Sequence, residues 1–352
     1  MEDTGRRFDS AKLESFSIEV LKKVGVPQEN AEIVARSLLA ANLRGVDTHG
    51  ITRLPIYVER VQAGLTNGGA RGVVVNESDT TAVVDGQDGL GQVVGTTGMR
   101  LAIAKAAKSG VGMVSVRNST HFGTAAYYAM MALDHDMIGF AVTNSPSLMA
   151  PWGGKRPFFG TNPLAIAVPA GEEKPFVLDM ATSVVARGAI ILAAKKGEPI
   201  PPTWAMNADG EPTTSAKEAN EGGALLPLGG HKGFGLAMAI EILVATLSGG
   251  VFGPHLGELY NNPDKPQGVG HFFTAMRIDR FQPVREFKAN MDAMIREVKA
   301  QPLGKGFDKI MVAGEPEFLT EQDRRKNGVP LSDAVLKDLS KMAATVGVPF
   351  DL

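Results

Sequence analysis

The chain has 352 residues, 36 basic against 38 acidic side chains (net charge −2), 44% apolar content and no cysteine. That length suffices for two or three compact units with a sizeable core, and the balanced charge gives no electrostatic case for nucleic acid or an anionic membrane as a partner. The missing cysteines remove disulfides, thiol nucleophiles and cysteine-held metals, and no run approaches about eighteen uninterrupted apolar residues, so no spanning helix is expected.

The polar start, Met1 to Arg7, has no signal-peptide core, and a cytoplasmic location is expected by default. Apolar residues at helical spacing predict a helix from Ala11 to Val24, capped by Asp9 or Ser10 and ended by Gly25. A second helix is expected from Pro27 to Arg44 and a third from Ile51 to Ala63, together making an N-terminal helical unit. From Gly68 the texture changes. Val73 to Val75 and Thr80 to Val84 are β-branched runs between turn residues and predict strands. A helix of Met99 to Lys108 character follows, then a strand over Val111 to Val116 and a helix over Ala125 to Leu133. Strands are predicted at Met137 to Thr143, Leu164 to Val168 and Pro175 to Met180, then a helix from Ser183 to Ala194. Residues 197–221 and 248–268 read as surface loops on either side of a strongly apolar helix, Lys232 to Leu247, expected to be buried. A strand over His271 to Ile278 and helices over Val284 to Val298 and Leu331 to Ala344 complete the chain. No internal repeat is visible. Alternating strands and helices, with some strands adjacent, predict an α/β fold with a mixed sheet.

Five stretches carry candidate chemistry. In the first, His121 stands just past a strand and opens a helix, where α/β folds place ligands. Imidazole titrates near neutrality and suits proton transfer, although a lone His here also reads as a cap or a core residue. Second, Thr48, His49 and Arg53 sit in one helix-to-helix turn. Arg pairs well with carboxylates, while Asp47 and Thr48 as helix caps are the plainer alternative. Third, the Gly- and Pro-punctuated stretches around Ser145, Trp152 and Asn162 allow close backbone approach to a ligand, or are plain turns. Fourth, Asp179 ends an apolar strand and needs a partner. Fifth, Gly229 to Gly233 presents His231 and Lys232 at a helix start, a setting that favours phosphate. By contrast, Gly89-Leu90-Gly91 only superficially suggests a Rossmann phosphate loop: Gly95 breaks the spacing and no acidic residue follows the next strand, so a structural turn is expected. His135, His255 and His271 read as surface or core residues. No close His or carboxylate set reads as a metal site. The residues alone point to an α/β enzyme acting on an anionic small molecule.

Taken together, Asp47-Thr48-His49-Gly50 with Arg53, Arg117 to Gly123, Ala150-Pro151-Trp152-Gly153-Gly154, Gly160 to Pro163, Leu178 to Ser183 and Gly229 to Gly233 resemble the type-2 malate/L-lactate dehydrogenase family, also called malate/L-sulfolactate dehydrogenase-like. The order and spacing match from about Phe8 onward. The resemblance implies an NAD(P)-dependent oxidoreductase of non-Rossmann fold that acts on a small 2-hydroxy or 2-oxo acid. It also implies a homodimer with the active site near the subunit interface. By the match, His121 is the acid–base residue, Thr48, His49 and Arg53 lie at the substrate end, and Arg53 holds the carboxylate. Ser145, Asp179, Met180, Ala181, His231 and Lys232 correspond to cofactor contacts, as does the turn Gly314-Glu315-Pro316. On this reading 1–68 packs with 325–352, 69–130 and 269–324 form the substrate side, and 131–268 binds NAD or NADP. Thr120, where Asn is more usual, and Ala189, at a commonly basic position, depart from the pattern. A reductase of cyclic imino acids in the same family and a non-catalytic dinucleotide-binding protein are the alternatives.

Overall fold

In the computed structural model, residues 5–260 and 265–352 are described. A short strand β1 (Arg6–Phe8) leads into helices α1 (Ser10–Lys23), α2 (Gln28–Leu43) and α3 (Leu54–Gln62). Asp9 caps α1 by accepting the Lys12 amide at 3.0 Å. Next come β2 (Val73–Glu77), β3 (Thr81–Asp85), α4 (Gly91–Ser109), β4 (Val111–Ser119), α5 (Ala125–Met130), β5 (Met137–Thr143), β6 (Leu164–Val168) and β7 (Phe176–Met180). After α6 (Arg187–Lys196) lie the short β8 (Ala205–Met206), α7 (Ala216–Asn220) and β9 (Ala224–Leu225). The chain continues through α8 (His231–Glu241), β10 (Val269–Arg277), α9 (Val284–Lys299), α10 (Glu315–Asn327), β11 (Val329–Leu331) and α11 (Asp333–Val346).

Seven strands form one sheet in the order β2-β3-β4-β10-β5-β6-β7. Only β3 and β4 run parallel; the other neighbours are antiparallel. This is the mixed α/β fold expected, and it lacks the run of parallel strands on which a Rossmann site depends. On one face α4 and α5 bury Met99, Ala102, Tyr128 and Ala129 against Val116 and Phe273. They approach closely for a reason visible in β10. Ala275 lies opposite Gly112 on one side and Gly139 on the other. A Cβ on Gly112 would collide with the Ala102 carbonyl, and one on Gly139 with the Ala129 carbonyl. This row of minimal side chains lets both helices sit directly on the strands. The other face is covered by Ile240, Val244 and Ala245, packed on Val142, Leu164 and Phe272.

A separate cluster joins α1, α2 and α3 to the C-terminal elements, with Leu13, Leu38, Ile51 and Leu54 packed among Val329, Leu336, Leu339 and Val346. Strands β1 and β11 pair antiparallel and close this unit.

Several predicted elements need correction. The expected helix over Ile51 to Ala63 is a 3-10 turn, Ile51–Arg53, followed by α3. The helix from Ser183 starts only at Arg187, and the 197–221 loop contains β8 and α7. The apolar helix from Lys232 is not buried throughout: it widens into a π turn at Ile242–Thr246 and leaves Leu236, Met238, Ile242 and Leu247 exposed. Helix α10 was not expected at all, because only Arg324 of it is buried and no apolar stripe marks it. No described helix is long and apolar enough to cross a membrane.

Candidate active site

His121 leaves the end of β4 on a fixed backbone. The buried Thr120 hydroxyl accepts the Gly91 amide at 2.9 Å and donates to the Gly89 carbonyl at 3.0 Å. The Gly89-Leu90-Gly91 segment is thus a structural turn closed by a side chain, and its Gly91 amide is already taken. The His121 amide donates to Gln267 Oε1 at 3.0 Å. On the imidazole, Nδ1 lies 2.6 Å from the Tyr57 hydroxyl, and the His49 ring stacks at 5.4 Å between centroids. Burial, then the charges of His49, Arg53 and His271, hold the His121 pKa well below its ordinary value. Burial and Arg53 depress His49 to about 4. Burial pushes the Tyr57 phenol upward, so it keeps its proton at neutral pH.

The neighbouring turn is pinned from two directions. Asn42 of α2 donates to Asp47 Oδ1 at 2.6 Å and accepts the Ile51 amide at 2.8 Å. Arg324 of α10 grips Asp47 with bonds of 2.7 and 3.0 Å. Asp47 is therefore an ion-pair anchor and not the helix cap that the alternative reading made it. From this turn, Thr48 places its hydroxyl 3.0 Å from His49 Nδ1. Arg53 Nε donates to the Thr48 carbonyl at 2.6 Å, and its Nη1 donates to the Tyr260 hydroxyl. His121, His49, Thr48 and Arg53, about seventy residues apart at the extremes of the sequence, meet at one place.

The residues matched to cofactor contacts form a second group, built largely of backbone. Ser145 accepts the Thr161 amide on its hydroxyl at 3.1 Å, while its own amide donates to Asn162 Oδ1 at 3.2 Å. Behind this loop lies Glu241, 3% exposed. Its carboxylate accepts from Asn144 Nδ2 at 3.0 Å, the Gly253 amide at 2.9 Å and Asn162 Nδ2 at 2.6 Å. Asp179 accepts the Ala126 amide at the start of α5, 2.8 Å away. Surrounding protein pushes its carboxyl up to about 6, against the pull of that amide and of Arg44. Its side chain nonetheless keeps access to solvent. Met180 and Ala181 are half-buried beside it. His231 and Lys232 are exposed at the first turn of α8, with the Trp152 ring 6.4 Å from that of His231. The start of α6 borders the first group: a Cβ on Gly188 would lie 3.9 Å from the Thr48 methyl.

Gly314 has φ +92° and packs against Val177, so its turn lies along β7. Glu315 is engaged by Lys299 at 2.8 Å, and Pro316 is exposed in the first turn of α10. His271 is a core residue between Thr143 and Ser119, both at 2.8 Å, and burial depresses it to about 3. Among the described residues no group of three or more His, Asp or Glu stands together as a metal site.

Sequence reasoning passed over Tyr57, Gln267, Asn42, Arg324, Glu241 and Tyr260. Two left a trace: Tyr57 lies one helical turn after Arg53, and Glu241 is the lone acid in an apolar helix. The others act across the fold and have no local signature.

The mixed sheet, the helical cap and the imidazole–guanidinium cluster define a non-Rossmann dehydrogenase class. The chain belongs to the malate/L-lactate dehydrogenase family, whose model matches residues 8–340. It is 46% identical to a malate dehydrogenase of Pyrococcus abyssi, over 97% of this chain and 95% of that one. It is 42% identical to an L-sulfolactate dehydrogenase of Methanocaldococcus jannaschii, over 94% of each. The crystal structure of malate dehydrogenase from Entamoeba histolytica superposes with a TM-score of 0.94 at 37% identity, over 99% of this chain and 100% of that one. The protein is a 2-hydroxyacid dehydrogenase.

Proposed function

We propose that the protein reversibly transfers hydride between NAD or NADP and C2 of a small 2-hydroxy or 2-oxo acid of the malate, lactate or sulfolactate kind, with His121 as the acid–base group. The observation that carries this is the 2.6 Å contact between Tyr57 and His121 Nδ1, beside the Arg53 guanidinium. The mechanism assigns the Nδ1 proton to a hydrogen bond onto the Tyr57 oxygen, the tautomer that leaves Nε2 free to take the substrate hydroxyl proton. The depressed pKa keeps His121 neutral at pH 7, the form needed for oxidation. In the reverse direction the incoming anionic acid favours the imidazolium, which returns the proton from Nε2 to the carbonyl oxygen. Arg53 holds the carboxylate, and Thr48 and His49 line the same end. Orientation of this kind lowers the barrier by restricting the reacting partners.

The second group suits a dinucleotide. The Ser145 loop and Asp179 to Ala181 offer close backbone, and the exposed Lys232 in the first turn of α8, at the positive end of the helix dipole, favours a phosphate. The Gly314-Glu315-Pro316 turn flanks the same strand. A bound nicotinamide would supply or accept the hydride, and the protein's part is placement and charge. We also propose a homodimer, supported by the exposed strip of Leu236, Met238, Ile242 and Leu247.

The deciding experiment follows NADH and NADPH oxidation with a panel of 2-oxo acids and one cyclic imino acid. Turnover of an oxo acid is expected. Turnover of the imine alone would transfer the site to imine reduction, and silence with dinucleotide still bound would mean a binding protein.

A further inference from the structure

The segment before β10 reaches across to the substrate end and is clamped there. Arg60 of α3, 4% exposed, donates to the carbonyls of Glu258 and Leu259, each at 3.3 Å, and of Lys265 at 3.0 Å. At one end of the clamp Gln267 holds the His121 backbone. At the other, Tyr260 accepts from Arg53 Nη1, and its ring lies 5.4 Å from the guanidinium carbon. Helix α3 and the 3-10 turn before it therefore carry both the anion-binding group and the clamp that brings a phenol to it.

The donor count gives this phenol a role. Guanidinium has five N–H groups. One goes to the Thr48 carbonyl and one to Tyr260. Among the described residues the rest have no partner and remain for a carboxylate. In its contact with Arg53 the Tyr260 oxygen is the acceptor, so its own O–H proton is left to give. The positive charge beside it makes that proton a stronger donor. Tyr260 is also 55% exposed, at the mouth of the site rather than in its core.

We propose that Tyr260 is a specificity-determining residue whose hydroxyl donates to the same substrate carboxylate that Arg53 holds. The anion is then gripped by a charge and a neutral donor together, and the aromatic ring steadies the guanidinium from beneath. This rests on the 2-hydroxy acid reading of the site.

The test separates donor from support. Tyr260→Phe keeps the ring and removes the O–H, whereas Tyr260→Leu removes both. Binding of oxalate, an unreactive carboxylate probe, is measured by calorimetry on the full chain, alongside steady-state kinetics. For Tyr260→Phe the oxalate Kd and the oxo-acid KM should rise by the same factor, about ten- to a hundredfold, the usual worth of a hydrogen bond to a charged group. The kcat and the cofactor KM should stay unchanged. A Tyr260→Phe variant that binds oxalate like the unaltered protein, with only Tyr260→Leu impaired, would overturn the proposal by making the ring a prop. So would an unaltered protein that binds no oxalate. Oxalate binding that weakens in Tyr260→Phe, in a protein that turns over no oxo acid, would uphold Tyr260 and defeat the dehydrogenase mechanism instead.

Discussion

The proposed substrate end and the proposed cofactor end of the site are built by different means. At the substrate end, side chains meet side chains: Tyr57 on His121, His49 stacked against it, Arg53 on Tyr260. Burial displaces the pKa values of His121, His49 and Tyr57, whereas Tyr260 stands at the exposed edge. At the cofactor end, loops meet loops. Ser145, Thr161 and Asn162 lock one another through backbone amides and side-chain oxygens, while His231 and Lys232 stand in solvent. Reaction chemistry needs a few groups with tuned protonation. A long, many-atomed cofactor needs a surface it can lie along. The two ends should therefore respond differently to substitution.

The largest separation comes from His121→Ala. We expect kcat to fall by roughly a hundredfold or more, the ordinary size of general acid–base catalysis, while direct titration shows dinucleotide affinity unchanged. A simultaneous loss of cofactor binding would dissolve the distinction between the ends. Next, Arg53→Ala should raise the KM for the acid by about ten- to a hundredfold and alter kcat far less; equal loss in both parameters would make Arg53 part of the chemistry.

A finer effect lies in the pH profile. His121 must be neutral to accept a proton, so kcat/KM for oxidation should fall as pH drops through its pKa, which lies below 6.5. His49 presses that pKa down both as a charge and as a wall. His49→Ala should move the acid limb to higher pH. A limb that stays in place would remove His49 from the electrostatics of the site.

The smallest effect tests the other end. All the groups facing Glu241 are donors, so Glu241→Gln turns an N–H₂ toward one of them. The cofactor Kd should rise by about two- to tenfold and the Tm should fall by a few degrees, with the substrate KM preserved. A change in substrate KM alone would show that Glu241 serves the wrong end.

How much of this could be read from the sequence followed the same division. The strands of the sheet were visible because β-branched runs and turn residues are local signals. His49, Thr48, Arg53 and His121 were visible as residue types in short motifs. Their assembly was not, because it depends on α3 folding back onto the end of β4. Tyr260 and Gln267 were missed because they ride on a loop without periodicity and act through Arg60, a buried charge on an otherwise ordinary helix. Helix α10 shows the same limit differently. It carries acids and a proline at its start and bases at its end, as a helix dipole favours, but its polarity hid it from a search for apolar stripes. Thr120 looked like a departure from the family pattern, and the structure gives it work in closing the turn behind His121.

The grip of Arg324 on Asp47 spans 277 positions of the chain. During synthesis the turn bearing Thr48, His49 and Arg53 emerges early and must then wait for almost the whole of the remaining polypeptide before its anchor exists. The sheet can begin to close once β10 has appeared, but the substrate end is finished only with α10. Assembly of this enzyme should therefore run from the cofactor end toward the substrate end, and a nascent chain halted before Arg324 should hold a formed sheet beside an unfinished catalytic turn.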